Sequence, residues 1–82
     1  MVYKEVTINN KEGLNATTAA AVVQIAGNYA AKVLIEKGNK KINAKSIMGV
    51  LSLGVKPGDE IFIVADGVDE GAAMDAIVQI FG

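Results

Sequence analysis

An α+β fold, with four antiparallel strands backed by three helices on one face in the order βαββαβα, is what this chain of 82 residues predicts. Two observations point to it. Segments of period-two alternation are separated by alanine-rich or amphipathic segments of unequal length, which is the sequence form of helices packed on a sheet. Two of the alternating segments flank Gly38-Asn39, a two-residue turn that joins neighbouring antiparallel strands.

The elements follow in order. Residues 2–8 alternate, with Val2, Val6 and Ile8 on one side and Tyr3, Glu5 and Thr7 on the other, as a half-buried strand requires. Residues 9–13 read as a polar loop. Asn15 is placed to cap a helix over Ala16–Ala26, which Gly27 or Asn28 closes; alanine favours helix, and Asn is a preferred N-cap. Ala19, Val22, Val23 and Ala26 form its inward stripe. Residues 32–36 and Lys40–Asn43 are the hairpin strands, and Ser46 opens a short helix that ends near Ser52 with Gly54 behind it. Lys56-Pro57-Gly58-Asp59 carries turn chemistry. Glu60–Asp66 is β-rich, with Ile61, Ile63 and Ala65 on one face. Asp69 caps a last helix in which Ala73, Ile77 and Ile80 are spaced for burial. A sheet covered on one side leaves the other wet. Tyr3, Leu34, Phe62 and Val64 are therefore expected on an exposed patch that offers a surface for self-association.

Composition narrows the chemistry. The chain has no His, no Cys and no Arg, and so no imidazole base, no thiolate, no usual zinc ligand set and no guanidinium fork. No catalytic residue, cofactor or metal site is expected; the protein binds rather than turns over a substrate. Eight lysines against nine acids give a net charge of −1 without a basic stripe, which argues against direct nucleic-acid contact. The longest apolar run, residues 47–55, is far short of the ~20 residues that span a bilayer, and the first residues read as a strand rather than a signal peptide. With no disulfide chemistry either, a single cytoplasmic domain over residues 1–82 is expected.

Two segments carry meaning. In Gly13-Leu14-Asn15-Ala16-Thr17-Thr18-Ala19, a helix N-terminus offers free N–H groups to an anion. Asn15 needs no role beyond capping, and an amide is no ordinary phosphoryl acceptor; Thr17 and Thr18 carry hydroxyls without a base to activate them. In residues 45–55, Ser46, Val50 and Leu53 form an inward stripe at i, i+4, i+7, so Ile47, Met48 and Leu51 fall on other sides. A short helix cannot bury its whole circumference, and some of these three are expected on a partner-binding surface, unless a neighbouring loop covers them. Ser46 reads as an N-cap worth ~1 kcal/mol, or as a phosphorylation site at a helix start.

Lys45-Ser46-Ile47-Met48-Gly49-Val50-Leu51-Ser52-Leu53-Gly54, supported by Gly13-Leu14, Gly58-Asp59, Asp66-Gly67 and Asp69-Glu70, resembles the HPr family of bacterial phosphotransferase systems. The likeness runs the length of the chain and is closest in type to the histidine-lacking catabolite-repression branch, Crh. It implies an open-faced β-sandwich. In phosphocarrier members the first segment reads Gly-Leu-His-Ala-Arg-Pro-Ala; the histidine receives phosphate from Enzyme I and passes it to sugar-specific IIA proteins. Asn15 stands at the histidine position, Thr17 at the arginine position that helps hold the phosphate, and Thr18 at the proline position. Nucleophile, cation and conformational lock are absent together. In the Crh branch, HPr kinase/phosphorylase modifies the serine matching Ser46, and the product serves as corepressor of a catabolite control repressor.

The sequence thus predicts a regulatory binding module of carbon catabolite control and sugar transport, not a competent phosphocarrier. The resemblance implies Ser46 as its regulatory phosphorylation site and Asn15, Thr17, Ile47, Met48 and Leu51 as its partner-binding residues. Its expected partners are HPr kinase/phosphorylase, a catabolite control repressor and a second copy in a homodimer. The alternatives are a phosphocarrier with its acceptor moved to Thr17 or Thr18, and an unphosphorylated decoy or self-associating module.

Overall fold

The alternation of the strand segments becomes a four-stranded, wholly antiparallel sheet in spatial order β1-β4-β2-β3. The computed structural model describes residues 1–9 and 13–81. In chain order the elements are β1 (Val2–Thr7), α1 (Ala16–Ala26), β2 (Lys32–Lys37), β3 (Lys40–Asn43), α2 (Ile47–Ser52), β4 (Glu60–Asp66) and α3 (Glu70–Phe81). The predicted order is therefore the observed one. Gly38, at φ +58°, takes the left-handed conformation the hairpin turn needs, and Lys37 pairs with Lys40 across it. Among the described residues no helix is long and apolar enough to cross a membrane, and no group of three or more His, Cys, Asp or Glu gathers to hold a metal.

The core lies between one sheet face and the helices. Val33, Ile35, Ile61, Ile63 and Ala65 point into it from the central strands β2 and β4 and are fully buried. They meet Ala19, Val22 and Ala26 of α1, Val50 of α2, and Ala73 and Ile77 of α3. The small alanine side chains of α1 and α3 let those two helices pack closely against one another, while the strands supply the bulk of the core.

Several details differ from the sequence reading. In α1, Val23 is only half-buried, at the margin of the stripe. In α3, Ile80 is half-buried, while Met74 and Phe81 are buried; the helix rotates those two toward the sheet, which a spacing count from Ala73 alone does not specify. Strand β1 ends at Thr7, yet Ile8 stays 1% exposed because its N–H donates to Asp59 O and its carbonyl accepts from Gly58 N. Strand β2 runs one residue further than predicted, to Lys37. On the open face Tyr3 and Phe62 are exposed, whereas Leu34 and Val64 are half-buried by their cross-strand neighbours. Residues 10–12 of the predicted polar loop lie outside the described residues.

Asp69 does more than open α3. Its carbonyl accepts from Ala73 N as an N-cap's should, but its carboxylate reaches back to the segment before β2, accepting from Ala30 N and Ala31 N, each at 2.8 Å. The two chain segments pass so closely that a Cβ at Gly67 would meet Ala31 Cα at 2.6 Å. Within the α3 start, Glu70 accepts from Gly67 N at 3.1 Å. The Ala30 N–H first, and then that of Ala31, hold the Asp69 carboxyl below the usual aspartate range. A depressed native pKa stabilises the fold above the unfolded-state value, and that stability is lost as pH falls through the native one. Asp69→Asn is therefore expected to lower the melting temperature at neutral pH, with the gap to the parent protein closing as pH falls below the ordinary carboxylate range. Circular-dichroism melts over a pH series check this.

Candidate functional site

Two helix starts and one helix surface form the candidate site. Asn15 precedes α1 with an extended backbone (φ −95°, ψ −175°), and its Oδ1 accepts from Thr18 N at 2.9 Å. The segment before it is pinned: Leu14 N donates to Val55 O at 3.1 Å. Gly13 has φ +64°, and a Cβ there would lie 2.6 Å from Val55 O. A bulkier or right-handed residue could not bring the chain into α1 along this path. Asn15 is half-buried, Thr17 exposed and Thr18 half-buried. No acid occupies the first turn of α1, so no charged side chain of that turn offsets the positive end of its dipole.

Ser46 plays the matching part for α2. Its backbone is extended (φ −111°, ψ 115°) and its Oγ accepts from Gly49 N at 3.2 Å. Asn43 organises the approach, its carbonyl accepting from Ser46 N and its Oδ1 from Lys45 N. Lys45 is drawn away from the serine, its Nζ donating to Tyr29 O at 2.8 Å. The far end of α2 is held by the hairpin: Lys37 Nζ donates to Gly54 O at 3.0 Å and Lys40 Nζ to Ser52 O at 3.2 Å. The helix has no base in its own last turn, and these two cations complement its negative end. Sequence reading missed them, because their partners are backbone carbonyls twelve or more residues away; the only signal was two lysines flanking the turn.

Helices α1 and α2 pack against one another, which brings the two segments singled out in the sequence onto adjoining helices. Of the predicted inward stripe, Val50 and Leu53 are buried, but Ser46 is exposed; its hydroxyl turns along the helix axis to cap rather than toward the sheet. Ile47 is 39% exposed, Met48 74% and Leu51 40%. Among the described residues no loop buries them. The result is an apolar patch beside an exposed hydroxyl at a helix start.

The construction is thus a small open-faced sheet whose helix layer presents two capped helix starts and an apolar patch at the surface. The family model described as "PTS HPr component phosphorylation site" matches residues 2–82. The chain is 45% identical over 78 residues to the HPr-like protein Crh of Halalkalibacterium halodurans (95% of this chain, 93% of that one). It is 40% identical over 81 residues to the phosphocarrier protein HPr of Treponema pallidum (99% and 92%). Among solved structures, HPr-C-His from Thermoanaerobacter tengcongensis matches with a TM-score of 0.94 and 44% identity, covering 99% of this chain and 91% of that one. The Bacillus subtilis Crh structure, described as a domain-swapped dimer, matches with a TM-score of 0.79 and 42% identity, covering 99% and 93%. The chain belongs to the HPr family, the phosphocarrier family of the bacterial phosphotransferase system.

The capping geometry sets an expected outcome for stability. Ser46→Ala leaves Gly49 N without its acceptor and is expected to cost ~1 kcal/mol. Urea unfolding should show a lower midpoint with an unchanged slope.

Proposed function

We propose that this chain is a regulatory HPr-like module that docks protein partners and does not relay phosphate, with Ser46 as its phosphorylation switch. The observation that carries the reading is the residue at position 15. Asn15 offers an amide where phosphocarriers offer an imidazole, and its Oδ1 is engaged by Thr18 N. An amide nitrogen shares its lone pair with the carbonyl and does not take a phosphoryl group as imidazole does. Thr17 supplies no cation to hold one. The apolar surface beside it survives, as Ile47, Met48 and Leu51 remain exposed.

Ser46 fits the other half of the proposal. A kinase would transfer the γ-phosphoryl of ATP to its exposed Oγ: the Oγ–P bond forms as the hydroxyl proton leaves, and the bond from the γ-phosphorus to the bridging β-phosphate oxygen breaks to release ADP. The modified side chain carries ≈ −1.5 to −2 charge and lies at the positive end of α2, where an anion is favoured. It would thus mark the patch with charge while leaving the helix in place. The proposed partners are HPr kinase/phosphorylase and a catabolite control repressor, reached through Asn15, Thr17, Ile47, Met48 and Leu51. Homodimerisation belongs to the same proposal, on the ground that the Crh relative is described as a dimer.

Three measurements test it. Incubation with HPr kinase and ATP should add one acid-stable phosphate, mapped to Ser46 by mass spectrometry and lost in Ser46→Ala. Incubation with Enzyme I and phosphoenolpyruvate should add none; label at Thr17 or Thr18 from that source would establish the relocated-acceptor alternative. Met48→Ala should weaken capture of the kinase or repressor about five- to thirtyfold, as for an exposed apolar anchor worth ~1–2 kcal/mol. Absence of label from both sources, with partner capture intact, would leave the decoy reading.

A further inference from the structure

Opposite the helices, the bare face of the sheet centres on an aromatic ring set between carboxylates. Phe62 on β4 pairs directly with Glu5 on β1 and with Glu36 on β2. Residues opposed across antiparallel strands stand on the same side, with Cβ atoms roughly 4.5–5.5 Å apart. The Tyr3 ring lies 6.3 Å from that of Phe62, tilted by 45°. Glu60, two residues before Phe62 on the same strand, is near enough for its carboxyl to hydrogen-bond that of Glu5. This bond, with the like-charge repulsion behind it, holds Glu5 above the usual carboxylate range. Among the described residues, the lysine that answers this group is Lys41, exposed and 3.9 Å from a half-buried Glu36; so long and solvated a pair contributes little. A shallow depression of about 440 Å³ runs beside the row, lined by Met1, Tyr3, Glu36, Phe62 and Val64.

We propose that this open face binds a basic polypeptide segment of a partner protein, with a lysine or arginine stem laid over Tyr3 and Phe62 and its charge between Glu5 and Glu36. The chemistry is complementary on both counts. A cation within about 6 Å of an aromatic face is attracted to it, and long basic side chains bury their aliphatic stems on apolar surface while keeping the charge outside. Bringing a cation beside Glu5 also relieves the repulsion between the Glu5 and Glu60 carboxylates. A second copy of this chain fits poorly, since a face-to-face contact would set the same acidic row against itself. The helix layer and the sheet separate this surface from Ser46 and Met48, so the proposal stands independently of the function proposed for that side, and both surfaces can be occupied together.

The test is an NMR titration of the 15N-labelled full chain with a hexalysine peptide, with hexaglutamate as the control. Hexalysine is expected to shift the amides of Glu5, Glu36 and Phe62, and to bind more weakly as salt is raised. Phe62→Ser and Glu36→Gln, checked for folding by circular dichroism, should each raise its dissociation constant about two- to fivefold. If either variant is unfolded, the map on the parent protein decides. Hexalysine shifts confined to other acids, equal binding of hexaglutamate, or unchanged affinity in folded variants would overturn the proposal. So would open-face shifts that follow protein concentration without any peptide, the signature of a second copy.

Discussion

Burial of a single face of the sheet is the constraint on which the rest of the molecule depends. Strands β2 and β4 present Val33, Ile35, Ile61 and Ile63 to one side, and all three helices must cover that side for the chain to fold at all. Covering it brings the alanine-rich α1 into contact with α2 and leaves the starts of both helices at the molecular surface. The same requirement leaves the opposite face bare, with Tyr3 and Phe62 open to solvent. Two surfaces of different character therefore follow from one packing decision.

At the helix starts, structure and chemistry separate. A helix N-terminus needs an acceptor for its free N–H groups, and Asn15 and Ser46 each supply one, at 2.9 Å and 3.2 Å. Capping asks only for a short polar side chain, so α1 keeps its place whether or not position 15 is chemically competent. The geometry of a helix start therefore does not depend on whether the capping residue can accept phosphate. The proposed regulatory role rests on that separation between what holds the helix and what reacts.

Much of the fold was legible because its signals are local. The alternation of Glu60–Asp66 placed Ile61, Ile63 and Ala65 inside, Gly38-Asn39 marked the hairpin, and Asn15 and Ser46 marked two helix starts. The parts that were not legible depend on segments far apart in sequence. The Asp69 carboxylate reads as a local cap, yet it bonds residues 38 and 39 positions away. Lys37 and Lys40 read only as lysines flanking the hairpin turn, yet they hold the end of α2. Ser46 follows an inward spacing, yet its hydroxyl turns along the axis because capping Gly49 N satisfies a polar group that the core could not.

By itself, then, the chain of residues determined which segments are strand or helix, which side of each strand is apolar, and which reactive groups the molecule lacks. Period, capping preference and side-chain chemistry are properties of neighbours in sequence. Only the tertiary arrangement decided that α1 and α2 adjoin, that Met48 stands clear while Val50 is sealed, and that Phe62 sits between Glu5 and Glu36. Those outcomes depend on strand order and register, and in this sheet β4 inserts between β1 and β2, a neighbour relation that no window of local sequence contains.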